Sequence, residues 1–150
     1  MFSFMVVGTN GSGKSTFLET LTRLVPDMEE FMPFVSTDVL HDTFFGVEVH
    51  TRDPFLLSKV SGSFSGYILL FDTTRPETFD ETYRLLSVLS LDLPGVVVAY
   101  KADVAGAVLP EDLRRMLFIP PSISILSCSC MDPESIRKVM YGFFNMVVGQ

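Results

Sequence analysis

Hydrophobic and polar positions along the chain fall into two alternating rhythms. Residues 2–7 are a short apolar, β-branched run leading into a glycine-rich loop. In residues 16–25, Phe17, Leu18, Leu21, Leu24 and Val25 recur at helical spacing until Pro26 stops them. Residues 34–40 and 43–50 flank His41-Asp42 and read as a hairpin, with Phe45, Val47 and Val49 alternating against Gly46, Glu48 and His50. Residues 54–59 suit a turn or two of helix. Gly66-Tyr67-Ile68-Leu69-Leu70-Phe71 and Gly95-Val96-Val97-Val98-Ala99-Tyr100 are nearly unbroken apolar runs, the signature of strands covered on both faces of a parallel sheet. Between them, residues 76–89 read as a helix with proline in its first turn and Glu77, Asp80 and Glu81 near its start.

The spacing predicts a short helix over 110–117, a strand over 122–127, and a last helix opened by Asp132-Pro133-Glu134. The expected fold is therefore a single three-layer α/β domain with a mostly parallel, six-stranded sheet, residues 34–40 forming one antiparallel edge strand.

Composition narrows the picture. In 150 residues there are 18 acidic and 11 basic side chains, a net charge of −7. Mean hydropathy is +0.37, and 47% of residues are hydrophobic, which excludes disorder. The longest uncharged stretches fall short of the roughly 18 apolar residues of a spanning helix. Residues 1–13 do not read as a signal peptide, since no basic residue precedes the apolar run. The acidic balance argues against nucleic acid as a partner. Cys128 and Cys130 share a strand face without closing a useful loop and read as reduced thiols of a cytoplasmic protein.

The chemistry-bearing motif is Gly8-Thr9-Asn10-Gly11-Ser12-Gly13-Lys14-Ser15, a complete G-x-x-x-x-G-K-S followed by Thr16, between a buried strand and an amphipathic helix. Glycines let such a loop turn successive backbone N–H groups toward phosphate oxygens, aided by the helix N-terminus. Asn10, Gly11, Ser12, Gly13, Lys14, Ser15 and Thr16 are the expected phosphate contacts. Lys14 would reach the β and γ phosphates, and the Ser15 hydroxyl would ligate Mg²⁺. The loop alone also looks like that of ABC-type ATPases, but Val60-Ser61-Gly62-Ser63-Phe64-Ser65-Gly66 is not their signature, and the chain is too short for that fold. A small ATP-using kinase would carry clustered lid arginines, whereas the arginines here are scattered.

Downstream, Val98-Ala99-Tyr100-Lys101-Ala102-Asp103 resembles the N-K-x-D motif of Ras-like small GTPases, with Tyr100 in place of the asparagine that braces the loop. Gly66 to Phe79 is similar to the fourth strand and following helix of that fold. Ile125-Leu126-Ser127-Cys128-Ser129-Cys130 resembles its closing S-A-K region. The resemblance runs over essentially the whole chain and is closest to prokaryotic Mgl-type and signal-recognition-particle receptor beta-like GTPases. It implies GTP or GDP with Mg²⁺, Asp103 accepting hydrogen bonds from the guanine N1–H and 2-amino group, and the Lys101 stem across the base. Ser129 would belong to the nucleotide site, and the Cys130 backbone N–H would meet guanine O6. A Roadblock- or longin-type regulator, or a second copy of the chain, would be the partner.

The sequence departs from the family in its switches. His50-Thr51-Arg52-Asp53-Pro54-Phe55 lacks the γ-phosphate-sensing glycine and the water-orienting glutamine. Residues 26–33 contain no Mg²⁺-completing threonine, a role left to Thr37 or Thr43. Arg52 or Asp53 could substitute as a cis arginine or a carboxylate on Mg²⁺. Hydrolysis should then be slow or partner-dependent, since an unaided Ras-like site turns over at only about 10⁻⁴ s⁻¹. A pseudo-GTPase acting as an interaction subunit and a small ATP-using phosphate-loop kinase are the alternatives. The apolar side chains Phe31, Met32, Phe34, Phe55, Leu56 and Leu57, with Tyr141, Phe144, Met146 and Val148 of the last helix, exceed what one core should hide and point to a protein-binding surface.

Overall fold

In a computed structural model, the described residues are 3–9, 11–24, 45–49, 64–129 and 132–148. The two unbroken apolar runs form central strands because their side chains have no polar face to offer water. All seven residues of Gly66–Asp72 and all six of Gly95–Tyr100 are buried. The described strands are β1 (Ser3–Gly8), β2 (Phe45–Val49), β3 (Gly66–Asp72), β4 (Gly95–Tyr100) and β5 (Ile125–Cys128). They form one sheet in the order β2-β1-β3-β4-β5, and every pairing is parallel.

Helices cover both faces: α1 (Lys14–Leu24), α2 (Phe79–Asp92), preceded by a 3₁₀ turn at Pro76–Thr78, α3 (Pro110–Leu117) and α4 (Pro133–Val148). The strand period of two divides the core. Phe4, Val6, Ile68, Leu70, Val96 and Val98 point toward Phe17 and Leu21 of α1 and Ile136, Val139, Met140 and Phe143 of α4. Met5, Val7, Tyr67, Leu69, Phe71 and Val97 point the other way, toward Phe79, Leu85, Leu86 and Leu89 of α2 and Leu113 of α3. The result is the three-layer α/β arrangement expected from the alternating rhythms.

The described sheet has five strands, not six, and no antiparallel member. The expected edge strand at 34–40, the hairpin turn at His41-Asp42 and the helical turns at 54–59 lie outside the described residues. Boundaries also move. α1 begins at Lys14, two residues before the expected start, so Lys14 and Ser15 belong to its first turn. β5 begins at Ile125 rather than residue 122. The end signals of α4 act as read: the Asp132 carboxylate accepts the Glu134 N–H (3.0 Å) and the Ser135 hydroxyl (3.3 Å), with Pro133 at the first helical position.

The apolar surplus expected on α4 is seen at Tyr141 and not at Phe144. Phe144 is fully buried beside Phe143 and Met146 packs partly against the same cluster, while Tyr141 remains exposed. α4 contacts α1 as well as the sheet, so its apolar arc is wider than one covering face. The Val148 side chain and the six apolar side chains at 31–34 and 55–57 lie outside the described positions. Exposed apolar side chains gather instead at α3 and its flanks, in Leu109, Met116 and Phe118.

Phe143 is the keystone of one face, its ring 5.4 Å from Phe4 and 5.7 Å from Phe144. Phe143→Ala should therefore lower stability by about 3–5 kcal/mol in urea unfolding. Leu91→Ser, at a side chain 83% exposed, should change it by less than about 0.5 kcal/mol.

Candidate functional site

The chain leaves β1 for β2 on one side and reaches β3 on the other, so the strand order reverses between β1 and β3. In open parallel sheets, the crevice at the carboxyl ends of strands flanking such a reversal is the usual ligand site. The Gly8–Ser15 loop leaves β1 at that point.

The loop is a tight turn closed by the Ser12 N–H on the Thr9 carbonyl (3.1 Å). Gly11 and Gly13 hold φ of 78° and 101°, a region that side-chain-bearing residues avoid. The Lys14 side chain folds into the loop, where its ammonium donates to the carbonyl oxygens of Gly8 (2.8 Å) and Thr9 (3.0 Å). It is only 4% exposed. The buried hydroxyls of Thr9 and Ser12 have no hydrogen-bond partner among the described residues, an arrangement that costs about 1–3 kcal/mol per group. Gly11, Ser15 and Thr16 are exposed at the mouth. A buried cation, unsatisfied hydroxyls and a helix N-terminus together suit an oxyanion, and phosphate fits that description. Asn10 lies outside the described residues.

On the neighbouring strands a second group of polar residues converges. Asp72, at the end of β3, has a fully buried side chain. Its Oδ2 accepts from the Lys101 ammonium at 2.8 Å, and its Oδ1 accepts from the Thr74 N–H (3.0 Å) and hydroxyl (2.5 Å). Burial acts to raise the Asp72 pKa, but the hydrogen bonds from Lys101 and Thr74 outweigh it and hold the carboxyl below its ordinary value. Lys101 itself has φ of 61° and turns the chain sharply after β4.

The turn is tied on both sides. Thr73 donates its N–H (3.1 Å) and hydroxyl (2.7 Å) to the Tyr100 carbonyl, and the Ala102 N–H bonds to the Cys128 carbonyl at the end of β5 (3.1 Å). Asp103 follows, exposed, and Ser129 lies half-buried just past β5. Cys130 lies outside the described residues.

Tyr100 joins the two groups. It is buried, lies edge-on to Phe17 with centroids 6.4 Å apart, and packs against Gly13 so closely that a Cβ there would overlap its ring. An aromatic ring thus supports the Gly8–Ser15 loop by contact. The expected residues Gly11 to Thr16, Lys101, Asp103 and Ser129 thus lie along one sheet edge, with the Lys101 ammonium held by Asp72. Sequence reading missed Asp72, Thr9 and Arg75, whose Nη1 lies 3.0 Å from the position of a Cβ on Gly11. The available signal was the polar cluster Asp72-Thr73-Thr74-Arg75 directly after a buried strand. No group of three or more His, Cys, Asp or Glu that could hold a metal occurs among the described residues. Ser15, the expected Mg²⁺ contact, is exposed in the first turn of α1.

Compared with known proteins, the chain matches no family model and no curated protein. The site's own electrostatics are directly measurable. With its pKa lowered in the folded state, Asp72 contributes stability that is complete above the ordinary carboxyl pKa of about 3.9. That contribution is lost as pH falls through the lowered folded value. Asp72→Asn should cost about 1–3 kcal/mol at pH 7, short of a fully buried pair because Lys101 is 28% exposed. The gap to wild type in urea unfolding should narrow by pH 3.

Proposed function

We propose that the chain is a Ras-like, guanine-nucleotide-binding small GTPase domain that acts as a switch or regulatory subunit with slow or partner-dependent hydrolysis. The carrying observation is the Gly8–Ser15 loop at the β1/β3 reversal, with the Lys14 ammonium buried among its carbonyls. In this reading the neutral carbonyls now holding Lys14 are weaker partners than a phosphate, to which a charged hydrogen bond is roughly twice as strong. The Thr9 and Ser12 hydroxyls supply further polar contacts. Residues 34–40 would complete a six-stranded sheet at its β2 edge.

Guanine selectivity is assigned to Asp103, a carboxylate that accepts from N1–H and the 2-amino group, neither of which adenine offers there. Lys101 and the region of Ser129 and Cys130 complete the base site. Mg²⁺, when bound, neutralises phosphate charge, with Ser15 as its protein contact. Hydrolysis is slow or partner-dependent in this reading because His50-Thr51-Arg52-Asp53-Pro54-Phe55 lacks the family's sensing glycine and water-orienting glutamine.

A pseudo-GTPase interaction subunit is the second reading. It is supported by exposed apolar side chains around α3, including Phe118 at 85% exposure. A Roadblock- or longin-like regulator or a second copy remains the proposed partner class in either case.

One experiment separates these readings: denature the purified protein, identify any released nucleotide, then titrate GTP, GDP and ATP with Mg²⁺. Guanine nucleotide bound at sub-micromolar affinity is the expected result. Preference for ATP would sink the guanine assignment, and no binding at all would favour the pseudo-GTPase. Lys14→Ala should weaken nucleotide binding by about 100-fold. Asp103→Asn should shift preference from guanine toward xanthine nucleotides, because an amide N–H can donate to the 2-oxo group of xanthine.

A further inference from the structure

Arg75 approaches the Gly8–Ser15 loop at Gly11, whereas Lys14 is anchored on the carbonyls of Gly8 and Thr9. Its backbone is pinned: the Arg75 N–H donates to the Asp72 carbonyl (3.0 Å), and the Arg75 carbonyl accepts from the Thr78 N–H (3.0 Å) and hydroxyl (2.8 Å). Pro76 follows and keeps Arg75 out of the helical region, at φ −131° and ψ 72°. From that fixed base after β3 the side chain reaches the loop after β1, placing Nη1 3.0 Å from the position a Cβ would take on Gly11. Gly11 is one of the two positive-φ residues of the loop and is exposed.

The site thus carries cations of two kinds. Lys14 is buried inside the loop, whereas the Arg75 side chain is 43% exposed and its Nε contacts Glu77 at 3.3 Å. Glu77 is itself 67% exposed, and a surface ion pair of this sort is worth about 0–1 kcal/mol. A multiply charged phosphate chain offers a stronger acceptor to the same guanidinium, whose planar fork and permanent charge suit it. In a chain of net charge −7, a cation at the loop's outer turn also offsets the repulsion an incoming polyanion would meet.

We propose that Arg75 is a phosphate-contact residue, which acts on the polyphosphate of the bound nucleotide from the Gly11 side of the loop and slows its release. This rests on the phosphate-binding reading of the loop but not on the identity of the base.

The test measures affinity for inorganic pyrophosphate and the release rate of a fluorescent guanosine diphosphate from wild type, Arg75→Lys and Arg75→Ala, each over a range of salt. Melting temperatures are recorded alongside. The expected result is release about tenfold faster in Arg75→Ala, with a parallel loss of pyrophosphate affinity and a shallower salt dependence. Arg75→Lys, which keeps the charge, should fall between the two. Glu77→Gln, which removes the competing carboxylate, should slow release. Release from Arg75→Ala within twofold of wild type would overturn the assignment. So would faster release with unchanged salt dependence and no recovery in Arg75→Lys, which marks a purely structural role. Wild-type protein that binds neither probe would overturn the phosphate reading itself, an outcome visible before any variant is compared.

Discussion

Parallel pairing is the constraint from which the rest of the molecule follows. Since all four strand pairings run the same way, the carboxyl ends of the strands gather at one edge, and the polar residues that end each apolar run are gathered with them. Gly8, Asp72, Tyr100 and Cys128 close their strands there. Both faces of the sheet must then be covered by helices, which buries the apolar side chains of both core clusters. No helix among the described residues is long and apolar enough to cross one.

The central strands and the helix at Pro110–Leu117 were legible because periodicity and punctuation agree there. Gly66 to Phe71 and Gly95 to Tyr100 leave no polar face, and Pro110 opens a helix with Glu111 and Asp112 in its first turn. The burial of Phe144 was not legible, because it depends on α1 packing beside α4 as well as on the sheet. A single helical face drawn from sequence cannot register two neighbours.

At the site, the glycine turn of the Gly8–Ser15 loop was readable as a local pattern, whereas its neighbours in space were not. Asp72 and Lys101 meet across 29 positions of sequence, and Arg75 meets Gly11 across the crevice between two strands. Both contacts come from strand order, which no local pattern encodes. Tyr100 looked like a departure from the asparagine of the resembled motif. Its ring packs against Gly13 and so ties the Gly8–Ser15 loop to β4 by van der Waals contact.

The ties on the turn after β4 have a kinetic consequence. Thr73 holds the Tyr100 carbonyl from β3's side and Cys128 holds the Ala102 N–H from β5's side, so residues 100–102 are carried as part of the sheet. Any ligand ring arriving at this edge would meet backbone already ordered. Its association would meet little delay from rearrangement of residues 100–102.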